Sequence, residues 1–313
     1  MTTVSVVIPC RNYGHFVGDA IKSVLNQTHD DIELIVVDYG STDETPDVVA
    51  RYPQARLVQC SNQGLCIARN IGMQASRGKF LVFLDADDIL TPDAIATSLA
   101  RLQCRPECAF AYGHESHFNE NGPVAVGGLS PGKCLEGDPY AEMLRMNHPL
   151  RAPGAMLYRR DLVERIGGFT SGLSGSEDID LNLRLVREHP IICNDSVVLL
   201  TRVHGTNTTR RWAQMLSVTV AAQKAQKRYV AQHPIYRSQY KAGLSLAREY
   251  WGSHLEKQII EKVSTKKFQA LASDLAVLAR YAPGRFLRLP GRFLRLSARR
   301  VTRLRSRCLD ESR

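Results

Sequence analysis

The stretch KFLVFLDADD, residues 79–88, joins five consecutive apolar residues to three acids within four positions. A short apolar run of this kind is typical of a strand buried on both faces of a parallel sheet. The acids Asp85, Asp87 and Asp88 then lie where that strand ends. The stretch therefore predicts a buried strand whose carboxyl end opens into an acidic turn.

Three further apolar runs precede this stretch, and the segments between them space their apolar residues as helices do. The runs are VSVVI at 4–8, IELIVVD at 32–38 and ARLVQC at 55–60. Such alternation predicts an α/β fold with right-handed crossovers and a mainly parallel central sheet flanked by helices. Ligands of these sheets bind beyond the carboxyl ends of the strands, and Asp38 shares that edge with the acidic turn.

Carboxylates as close together as those of the acidic turn repel one another unless a cation neutralises them. Oxygen ligands suit Mg²⁺ or Mn²⁺, and such ions commonly hold the phosphates of a substrate. The alternative is an acidic turn that caps the following helix, a role open to Asp88. Neither G-x-G-x-x-G after the first strand nor G-x-x-x-x-G-K-S/T occurs, which argues against a dinucleotide oxidoreductase and a P-loop enzyme.

The 313-residue chain has the composition of a soluble globular protein and a net charge of +10. The excess charge lies near the end of the chain, where residues 280–309 contain ten arginines and no acid. No apolar run approaches about 18 residues and the first residues lack the basic segment of a secretory signal, so neither a membrane-spanning helix nor secretion is expected. Of the eight cysteines, Cys60, Cys66 and Cys193 lie in apolar stretches and are predicted to be small buried side chains in a reducing cytoplasm.

Five motifs follow one another in the first two thirds of the chain. They are VSVVIPCRN at 4–12, IELIVVDYGSTDET at 32–45, NQGLCIARNIGMQASRGKFLVFLDADD at 62–88, IGGF at 166–169 and SEDIDLNLRL at 176–185. In this order they resemble the catalytic domain of glycosyltransferase family 2 across residues 2–205. The resemblance implies a Rossmann-like GT-A fold and transfer of a sugar from a nucleotide-diphosphate donor to an acceptor hydroxyl group, with inversion at the anomeric carbon.

The D-A-D-D segment matches the D-x-D motif of the family. By that resemblance Asp85, Ala86 and Asp87 belong to the donor site. Asp85 would face the ribose, and Asp87 would bind the Mg²⁺ or Mn²⁺ ion that bridges the diphosphate. The charge of such an ion suits a diphosphate leaving group.

The S-E-D segment matches the family's E-D before an amphipathic helix. The resemblance implies that Asp178 is the general base that deprotonates the acceptor hydroxyl group, with Glu177 supporting it. The alternative is that both are first-turn acids favoured by the helix dipole after a Ser176 cap.

The RVHGTN segment at 202–207 resembles the later R-x-H motif of the family. His204 would then bind the metal ion or the diphosphate, and Arg202 would help to neutralise the phosphates. A single histidine at a strand end is more often structural, so that alternative stays open.

Three further matches concern the surroundings of the donor and the acceptor. Arg69, with Asn70, matches a helix whose basic residue lies near the nucleotide, and the alternative is a solvated helix arginine. Pro9 matches a loop whose backbone meets the base. RAPGAMLYRR at 151–160 matches a region that often lines the acceptor side, and the alternative is a core strand.

The family usually has two acids before the G-S of its second motif, whereas here Asp38 is followed by Tyr39. In relatives that use uridine nucleotides, the second acid accepts a hydrogen bond from the imide N–H of the base. The phenol of Tyr39 can donate or accept a hydrogen bond, and its ring can stack on a base. Two interpretations stay open: Tyr39 reshapes base recognition, or it packs beneath the loop while Asp38 contacts the nucleotide unaided.

The predicted organisation is a catalytic domain at 1–205, a helical region at 206–282 and a basic tail at 283–313. The tail contains the repeat PGRFLRL at 283–289 and 290–296. Arginines near an anionic membrane and apolar side chains at the headgroup boundary favour a peripheral anchor on the cytoplasmic face of the inner membrane. A solvated, partly disordered tail is the alternative, and no nucleic-acid-binding module accompanies the charge.

The predicted partners are a nucleotide-sugar donor and a glycan or lipid-linked acceptor, as in the synthesis of a cell-surface polysaccharide or another glycoconjugate. One rival function is nucleotidyl transfer, which expects a Gly-rich loop with nearby Arg and Lys that the segment PCRNYGH at 9–15 does not resemble. The other is a catalytically inactive protein of the same fold that binds a nucleotide sugar or serves as a membrane scaffold.

Overall fold

The computed structural model describes residues 3–124, 134–135, 137–146, 152–205 and 211–290. The first strands are Val4–Cys10 (β1), Ile32–Asp38 (β2), Ala55–Gln59 (β3) and Phe80–Phe83 (β4). The helices between them are Gly14–Leu25 (α1), Thr45–Ala50 (α2) and Leu65–Ala75 (α3). The alternation of strands and helices predicted from the sequence is confirmed.

The chain after β4 forms shorter strands and helices that complete the sheet. The strands are Ile89–Leu90 (β5), Phe110–Asn119 (β6), Gly122–Pro123 (β7), Met156–Arg159 (β8) and Ile192–Arg202 (β9). The helices are Ala94–Cys104 (α4), Pro139–Arg145 (α5), Arg160–Arg165 (α6) and Glu177–Val186 (α7). Within the RAPGAMLYRR segment, residues 153–155 form a short 3-10 helix and residues 156–159 form β8, of which residues 156–158 are buried as in a core strand. Arg151 lies outside the described residues.

In the described part of the chain the sheet has nine strands in the order β3-β2-β1-β4-β8-β6-β9-β5, with β7 beside β6. Strands β1 to β4 pair in parallel, as predicted. Strand β8 is antiparallel to both β4 and β6, whereas β6 and β9 pair in parallel. The carboxyl ends of β1, β2, β4, β6 and β9 therefore point the same way, and this edge collects the residues described below.

The sheet is buried on both faces, which explains the continuous apolar runs. In β1, Val6 and Ile8 belong to a core that includes residues of α1 and α4, whereas Val7 belongs to a second core that includes residues of α3 and α7. A strand with this burial has no polar face, and all seven residues of β1 are buried.

Helix α3 lies unusually close to the sheet because it carries Gly72. A Cβ atom at this position would lie 2.2 Å from Val7 Cγ1 and 2.9 Å from Val37 Cγ2. The missing side chain lets α3 rest directly on β1 and β2. As a result Arg69, one helical turn earlier, reaches the carboxyl edge of the sheet.

Five helices follow β9 in the described part of the chain. They are Trp212–Ala225 (α8), Lys227–Val230 (α9), Pro234–Ser264 (α10), Leu271–Tyr281 (α11) and Pro283–Phe286 (α12). Each of α8, α10 and α11 contributes buried apolar side chains, among them Leu216, Leu244 and Leu278, to the same core as Val7 and Phe83. At Gly243, α10 comes so close to α5 that a Cβ atom would lie 1.8 Å from the carbonyl oxygen of Leu144.

The structure divides the predicted basic tail into two parts. Residues 283–290 pack against the helices: Arg285 forms ion pairs with Glu249 and Glu256, and Leu289 is buried. The first copy of the repeat is therefore part of the folded protein, which corrects the prediction of a tail that starts at residue 283. Residues 291–313, with the second copy, lie outside the described residues.

None of the helices in the described ranges combines the length and the apolar composition that crossing a bilayer requires.

The predictions for the cysteines had mixed outcomes. Cys66 is buried, whereas Cys60 is half-buried. Cys193 forms a disulfide with Cys134, at a Cα–Cα distance of 5.6 Å, so the prediction of a small buried thiol there is wrong. The pairing joins the chain after β7 to β9 across 59 positions of sequence, a separation that local pattern does not reveal.

Candidate active site

The acidic turn forms where the chain leaves the sheet after β4. Leu84 still donates its N–H to the carbonyl oxygen of Val7, at 3.0 Å, so the chain stays beside β1 up to that residue. Asp88 then donates its N–H to the carbonyl oxygen of Asp85, at 3.1 Å, which closes the turn. The carboxyl groups of Asp85 and Asp87 therefore emerge at the carboxyl edge of the sheet. Ala86 between them is buried.

Arg69 is the cation at the centre of this edge. Its side chain is only 1% exposed, and its guanidinium contacts Glu177 and, at 2.5 Å, Asp85. The interpretation as a solvated helix arginine is therefore wrong. Although burial alone would disfavour the charge, these two carboxylates raise the pKa of Arg69 above its usual range. Two acids that are 92 positions apart in sequence thus share one permanent positive charge.

Asn70, next to Arg69, has a structural role. Its side chain accepts a hydrogen bond from the N–H of Phe169 and donates one to the carbonyl oxygen of Phe169, each at 2.9 Å. A Cβ atom at Gly168 would lie 2.5 Å from the Asn70 amide oxygen, and the φ of Gly168 is +68°. The G-G-F segment is therefore held against α3 and positions the chain that leads to α7.

The first turn of α7 brings Glu177 and Asp178 to the same place. The predicted Ser176 cap is wrong, because the Ser176 hydroxyl makes no cap bond and lies 2.9 Å from the hydroxyl of Thr219. Glu177 accepts hydrogen bonds from Arg69 and from the N–H of Gly175. Helix α7 thus starts as a buried acidic end that faces Arg69.

Asp178 differs from Glu177 in its partners. It is buried, and in the described part of the chain no cation forms an ion pair with it. Burial and the negative charge of Glu177 raise the pKa of Asp178 well above its usual range. A carboxylate in this environment binds a proton more readily than an exposed one, which is the property that a general base requires.

Strand β9 brings Arg202 and His204 back to the acidic turn. Ile89 and Leu90, directly after the turn, pair with Leu200 and Leu199 of β9. The strand then ends beside the turn, where the N–H of Arg202 donates to the carboxylate of Asp88 at 3.0 Å. His204 Nε2 lies 2.8 Å from Asp87 Oδ2. The structure therefore places the predicted metal ligands Asp87 and His204 in contact.

The guanidinium of Arg202 already has protein partners. It donates to the carbonyl oxygen of Asp87 at 3.1 Å and forms an ion pair with Asp19 at 3.0 Å. It also lies 4.8 Å from the ring centroid of Phe16 and 4.6 Å from that of Phe118. These contacts fix the guanidinium at the rim of the acidic turn.

The donor set at Asp87 and His204 fits a divalent ion. One carboxylate oxygen and one imidazole nitrogen leave most coordination positions for a diphosphate and water, which is how Mg²⁺ and Mn²⁺ are usually held with nucleotides. Burial and the charges of Asp87 and Asp85 raise the pKa of Asp88 well above its usual range. A cation at Asp87 would relieve this repulsion.

Tyr39 lies beside the acids rather than on the surface of the loop. The side chain is half-buried and packs against the core that includes Val7. Burial, and the charge of nearby Asp85, raise the pKa of Tyr39 to about 12, so the phenol is neutral at physiological pH. The preceding residue, Asp38, is buried and accepts the N–H of Ser41 at 2.9 Å. Asp38 thus stabilises its own turn in this structure.

Pro9 is not in a loop, which corrects the sequence prediction. It lies within β1 opposite Val37 of β2 and is buried. The loop begins only at Arg11, and Asn12 adopts a positive φ of 58°. The backbone that could meet a base is therefore the turn at residues 11–13.

This turn is bound to the loop after β2 by hydrogen bonds that the sequence analysis missed. Asn12 accepts the N–H of Thr42 at 2.7 Å and donates its own N–H to the Ser41 hydroxyl at 3.0 Å. Asp43 accepts the N–H of Gly14 at 2.9 Å. The S-T-D segment could have indicated these hydrogen bonds, because the side chains of Ser, Thr and Asp commonly form hydrogen bonds with nearby backbone groups.

Comparison with known proteins identifies the same family that the sequence motifs resemble. The model of the family described as glycosyl transferase family 2 matches residues 5–167. An uncharacterized glycosyltransferase of Rickettsia conorii is 29% identical over 217 residues, which cover 66% of this chain and 34% of that protein. Chondroitin synthase of Escherichia coli is 25% identical over 210 residues, which cover 66% of this chain and 30% of that enzyme. The chain thus spans about a third of the length of these curated relatives.

Two solved structures share the fold. TarS 1–349 of S. aureus, in complex with UDP-GlcNAc, superposes with a TM-score of 0.59 at 15% identity, over 92% of this chain and 81% of that chain. The mannosyltransferase PcManGT of Pyrobaculum calidifontis, in complex with GDP-Man and Mn²⁺, superposes with a TM-score of 0.59 at 18% identity, over 93% of this chain and 86% of that chain. The predicted GT-A fold with a helical C-terminal region is confirmed.

Proposed function

The chain belongs to glycosyltransferase family 2, and we propose that it transfers a sugar from a nucleotide-diphosphate donor to an acceptor hydroxyl group. The proposal is carried by one observation: the acidic turn, Arg69 and the first turn of α7 converge at the carboxyl edge of the sheet. The nucleotide sugars bound to TarS and to PcManGT support a donor of this class.

On the donor side, Asp85 would accept hydrogen bonds from the ribose while Arg69 holds its carboxylate in place. Arg69 is buried, so its task is to orient Asp85 and Glu177. Ala86 would place its backbone along the nucleotide, and the turn at residues 11–13 would border the base together with Tyr39. Arg202 would add positive charge at the rim on the phosphate side.

Asp87 and His204 would hold the divalent ion, Mg²⁺ or Mn²⁺. When bound, the ion supplies positive charge that offsets the charge developing on the diphosphate leaving group. The presence of Mn²⁺ together with GDP-Man in the PcManGT complex supports a divalent ion as the cofactor.

On the acceptor side, Asp178 would take the proton of the attacking hydroxyl group. The acceptor oxygen then bonds to the anomeric carbon as the bond to the nucleoside diphosphate breaks. A single displacement inverts the configuration at that carbon. Glu177 supports the base because its negative charge raises the pKa of Asp178.

The donor site is tested by thermal-shift titration of UDP, dTDP, GDP and CDP, with and without Mn²⁺. A nucleotide at about 100 times its Kd should add roughly 2.7 kcal/mol to the free energy of unfolding. We expect one nucleotide to raise the midpoint much more with Mn²⁺ than without it. No shift with any of the four would contradict the proposed donor site.

The base is tested by Asp178→Asn, with Asp161→Asn on the exposed face of α6 as the matched control. Loss of a general base lowers turnover by about 10²–10⁴-fold, while the shift caused by the nucleotide should persist. The Asp161→Asn variant should turn over normally. Normal turnover by Asp178→Asn would assign the base elsewhere, and donor binding without turnover by the unmodified protein would favour an inactive nucleotide-sugar-binding protein.

We further propose that the acceptor is a glycan or lipid-linked glycan of a cell-surface polysaccharide, and that the chain binds the cytoplasmic face of an anionic membrane peripherally. Residues 291–313 contain seven of the ten arginines that favour this contact. Because residues 283–290 are folded, the informative truncation removes only residues 291–313 and ends at Pro290. If the truncated protein still sediments with anionic vesicles as the full chain does, residues 291–313 are not the anchor.

A further inference from the structure

Four potential metal ligands meet on the β6–β9 part of the sheet, in a cluster distinct from the site at Asp87. We name it the thiol cluster: His114 of β6, Cys134 of the segment before α5, and Cys193 and Asp195 of β9. One ligand atom from each residue lies within 4.8 Å of the other three. His114 Nε2 is 3.2 Å from Asp195 Oδ1, and Cys134 Sγ is 3.8 Å from the same oxygen.

Two irregularities of the backbone lie at the thiol cluster, one beside His114 and one at Asp195. The pairing of β6 with β9 shifts register on both sides of His114. Asp195 adopts a positive φ of 58°. His114 is buried, whereas Asp195 is exposed, so the cluster is closed on the inside and open to solvent on one side.

We propose that the thiol cluster binds one Zn²⁺ ion when the Cys134–Cys193 disulfide is reduced. A dithiol or phosphine reductant supplies two electrons to the disulfide and is itself oxidised, which leaves two thiols. Binding of Zn²⁺ then displaces one proton from each thiol. The ion takes two thiolate sulfurs, the imidazole nitrogen of His114 and a carboxylate oxygen of Asp195.

The geometry requires only a small change from the disulfide. With Zn–S bonds of about 2.3 Å, two sulfurs of a tetrahedral site are about 3.8 Å apart. The Cα–Cα distance of 5.6 Å between Cys134 and Cys193 allows this separation through side-chain rotation. The ligand atoms of His114 and Asp195 already lie within 4.8 Å of both sulfurs.

The ligand chemistry selects zinc over the ion proposed for the donor site. Two thiolates and an imidazole suit Zn²⁺, whereas Mg²⁺ and Mn²⁺ favour oxygen ligands. Four protein ligands also leave no open position, which is typical of structural rather than catalytic zinc. The ion would fasten the segment that enters α5, where the N–H of Leu135 already donates to the Tyr112 hydroxyl at 2.6 Å.

The test uses the full chain without a polyhistidine tag, in its reduced and oxidised forms. Zinc affinity is measured by competition with a chromogenic chelator, and Co²⁺ is then added in its place to detect thiolate-to-metal charge-transfer absorption. We expect the reduced protein to bind one more equivalent than the oxidised protein. Any zinc held at Asp87 and His204 remains in both forms and cancels in this difference.

Variants identify the ligands. Cys193→Ser and His114→Ala should each weaken the additional zinc binding by more than about tenfold. Cys104→Ser, which removes an exposed free thiol, should leave it unchanged. Alkylation under native conditions gives a second measurement that does not depend on a folded variant: Zn²⁺ should protect two of the eight cysteines of the reduced protein.

Equal zinc binding in the reduced and oxidised proteins would overturn the proposal. So would Co²⁺ binding without thiolate absorption, or the same loss of affinity in Cys104→Ser as in Cys193→Ser. None of these outcomes depends on glycosyl transfer, so the thiol cluster and the proposed function can fail independently.

Discussion

The acids of the candidate active site form two groups that face different partners. Asp85 and Glu177 share Arg69, which is buried and permanently charged. Asp87 faces His204, which is partly exposed, and we propose that these two side chains hold the metal ion. The fold itself supplies a positive charge to the first group. The second group has a histidine instead, and we propose that a metal ion supplies its positive charge. The role of each acid therefore depends less on the number of acids than on the side chain beside it.

The largest expected effect comes from removing the fixed cation. Arg69→Met leaves two carboxylates without their buried partner, so the free energy of unfolding should fall by about 3–5 kcal/mol in urea denaturation at pH 7. Without Arg69, burial and the neighbouring acids raise the pKa of Asp85 further above that of the unfolded chain. The folded state then binds more protons, and the loss of stability should shrink as the pH is lowered.

The matched control is Arg77→Met, whose side chain is 86% exposed and lies 3.7 Å from Glu33. Its effect should stay within about 0.5 kcal/mol. If Arg69→Met were no more harmful than Arg77→Met, Arg69 would not be the cation on which this side of the site depends.

The next effect concerns the second group. Asp87→Asn should remove the Mn²⁺-dependent part of nucleotide stabilisation, up to roughly 2.7 kcal/mol at 100 times the Kd of the unmodified protein. Without nucleotide and metal the variant should unfold almost normally, because an amide oxygen can still accept a hydrogen bond from His204. Asp19→Asn, which changes only the partner of Arg202, is the control for thermal-shift titration. Full Mn²⁺ dependence in Asp87→Asn would place the metal elsewhere.

A smaller effect should link the first group to the base. Glu177→Gln keeps a hydrogen-bond acceptor for Arg69 but removes the negative charge that raises the pKa of Asp178. The pKa of Asp178 should therefore fall, and the rise of kcat/KM with pH should move to lower pH. The control is Glu188→Gln, at an exposed position two residues after the end of α7. This variant should show the same dependence of kcat/KM on pH as the unmodified protein. If the pH dependence of kcat/KM is unchanged in Glu177→Gln, Glu177 does not tune the pKa of the base.

The smallest effect is expected at Tyr39, which lies near Asp85 and Arg69 of the first group. Tyr39→Asp places a carboxylate near Asp85 and Arg69 and should change the ranking of UDP against the other nucleotides, by about 0.5–1.5 kcal/mol per hydrogen bond altered. Tyr39→Phe distinguishes the contribution of the hydroxyl group from that of the ring, because the variant loses the hydroxyl but should retain any stacking on the base. Thermal-shift titration of each variant measures the ranking, and an unchanged ranking in both would leave Tyr39 with a packing role.

Much of the first group's framework was predictable because the signals are local. Apolar runs that end in acids identified the carboxyl ends of β2 and β4. The choice of Asp178 needed the resemblance of the S-E-D segment to the family's motif, because first-turn acids alone are also typical of an ordinary helix start. The burial of Arg69 was not predictable in this way. It depends on the close approach of α3 at Gly72 and on Glu177, which lies 108 positions later in the chain.

The second group depended more strongly on family resemblance. The contact between Asp87 and His204 requires β5 to pair with β9 across more than a hundred residues, and no local pattern contains that pairing. The position of β8 between β4 and β6 is likewise a long-range result, and so is the disulfide between Cys134 and Cys193. The error at Pro9 had a different cause, since a proline near the end of a run was assigned to a loop although it fits inside β1.

Helix α10, which meets α5 at Gly243, joins the C-terminal helices to the part of the chain that carries the family's motifs. Its 31 residues span about 46 Å, and its inner face shares one core with β1 and β4. Exchange of the C-terminal helices with those of a relative would also have to preserve the backbone contact at Leu144. The packed core is therefore larger than the segment that carries the family's motifs, and we expect recombination at residue 205 to expose apolar surface on both sides of the cut.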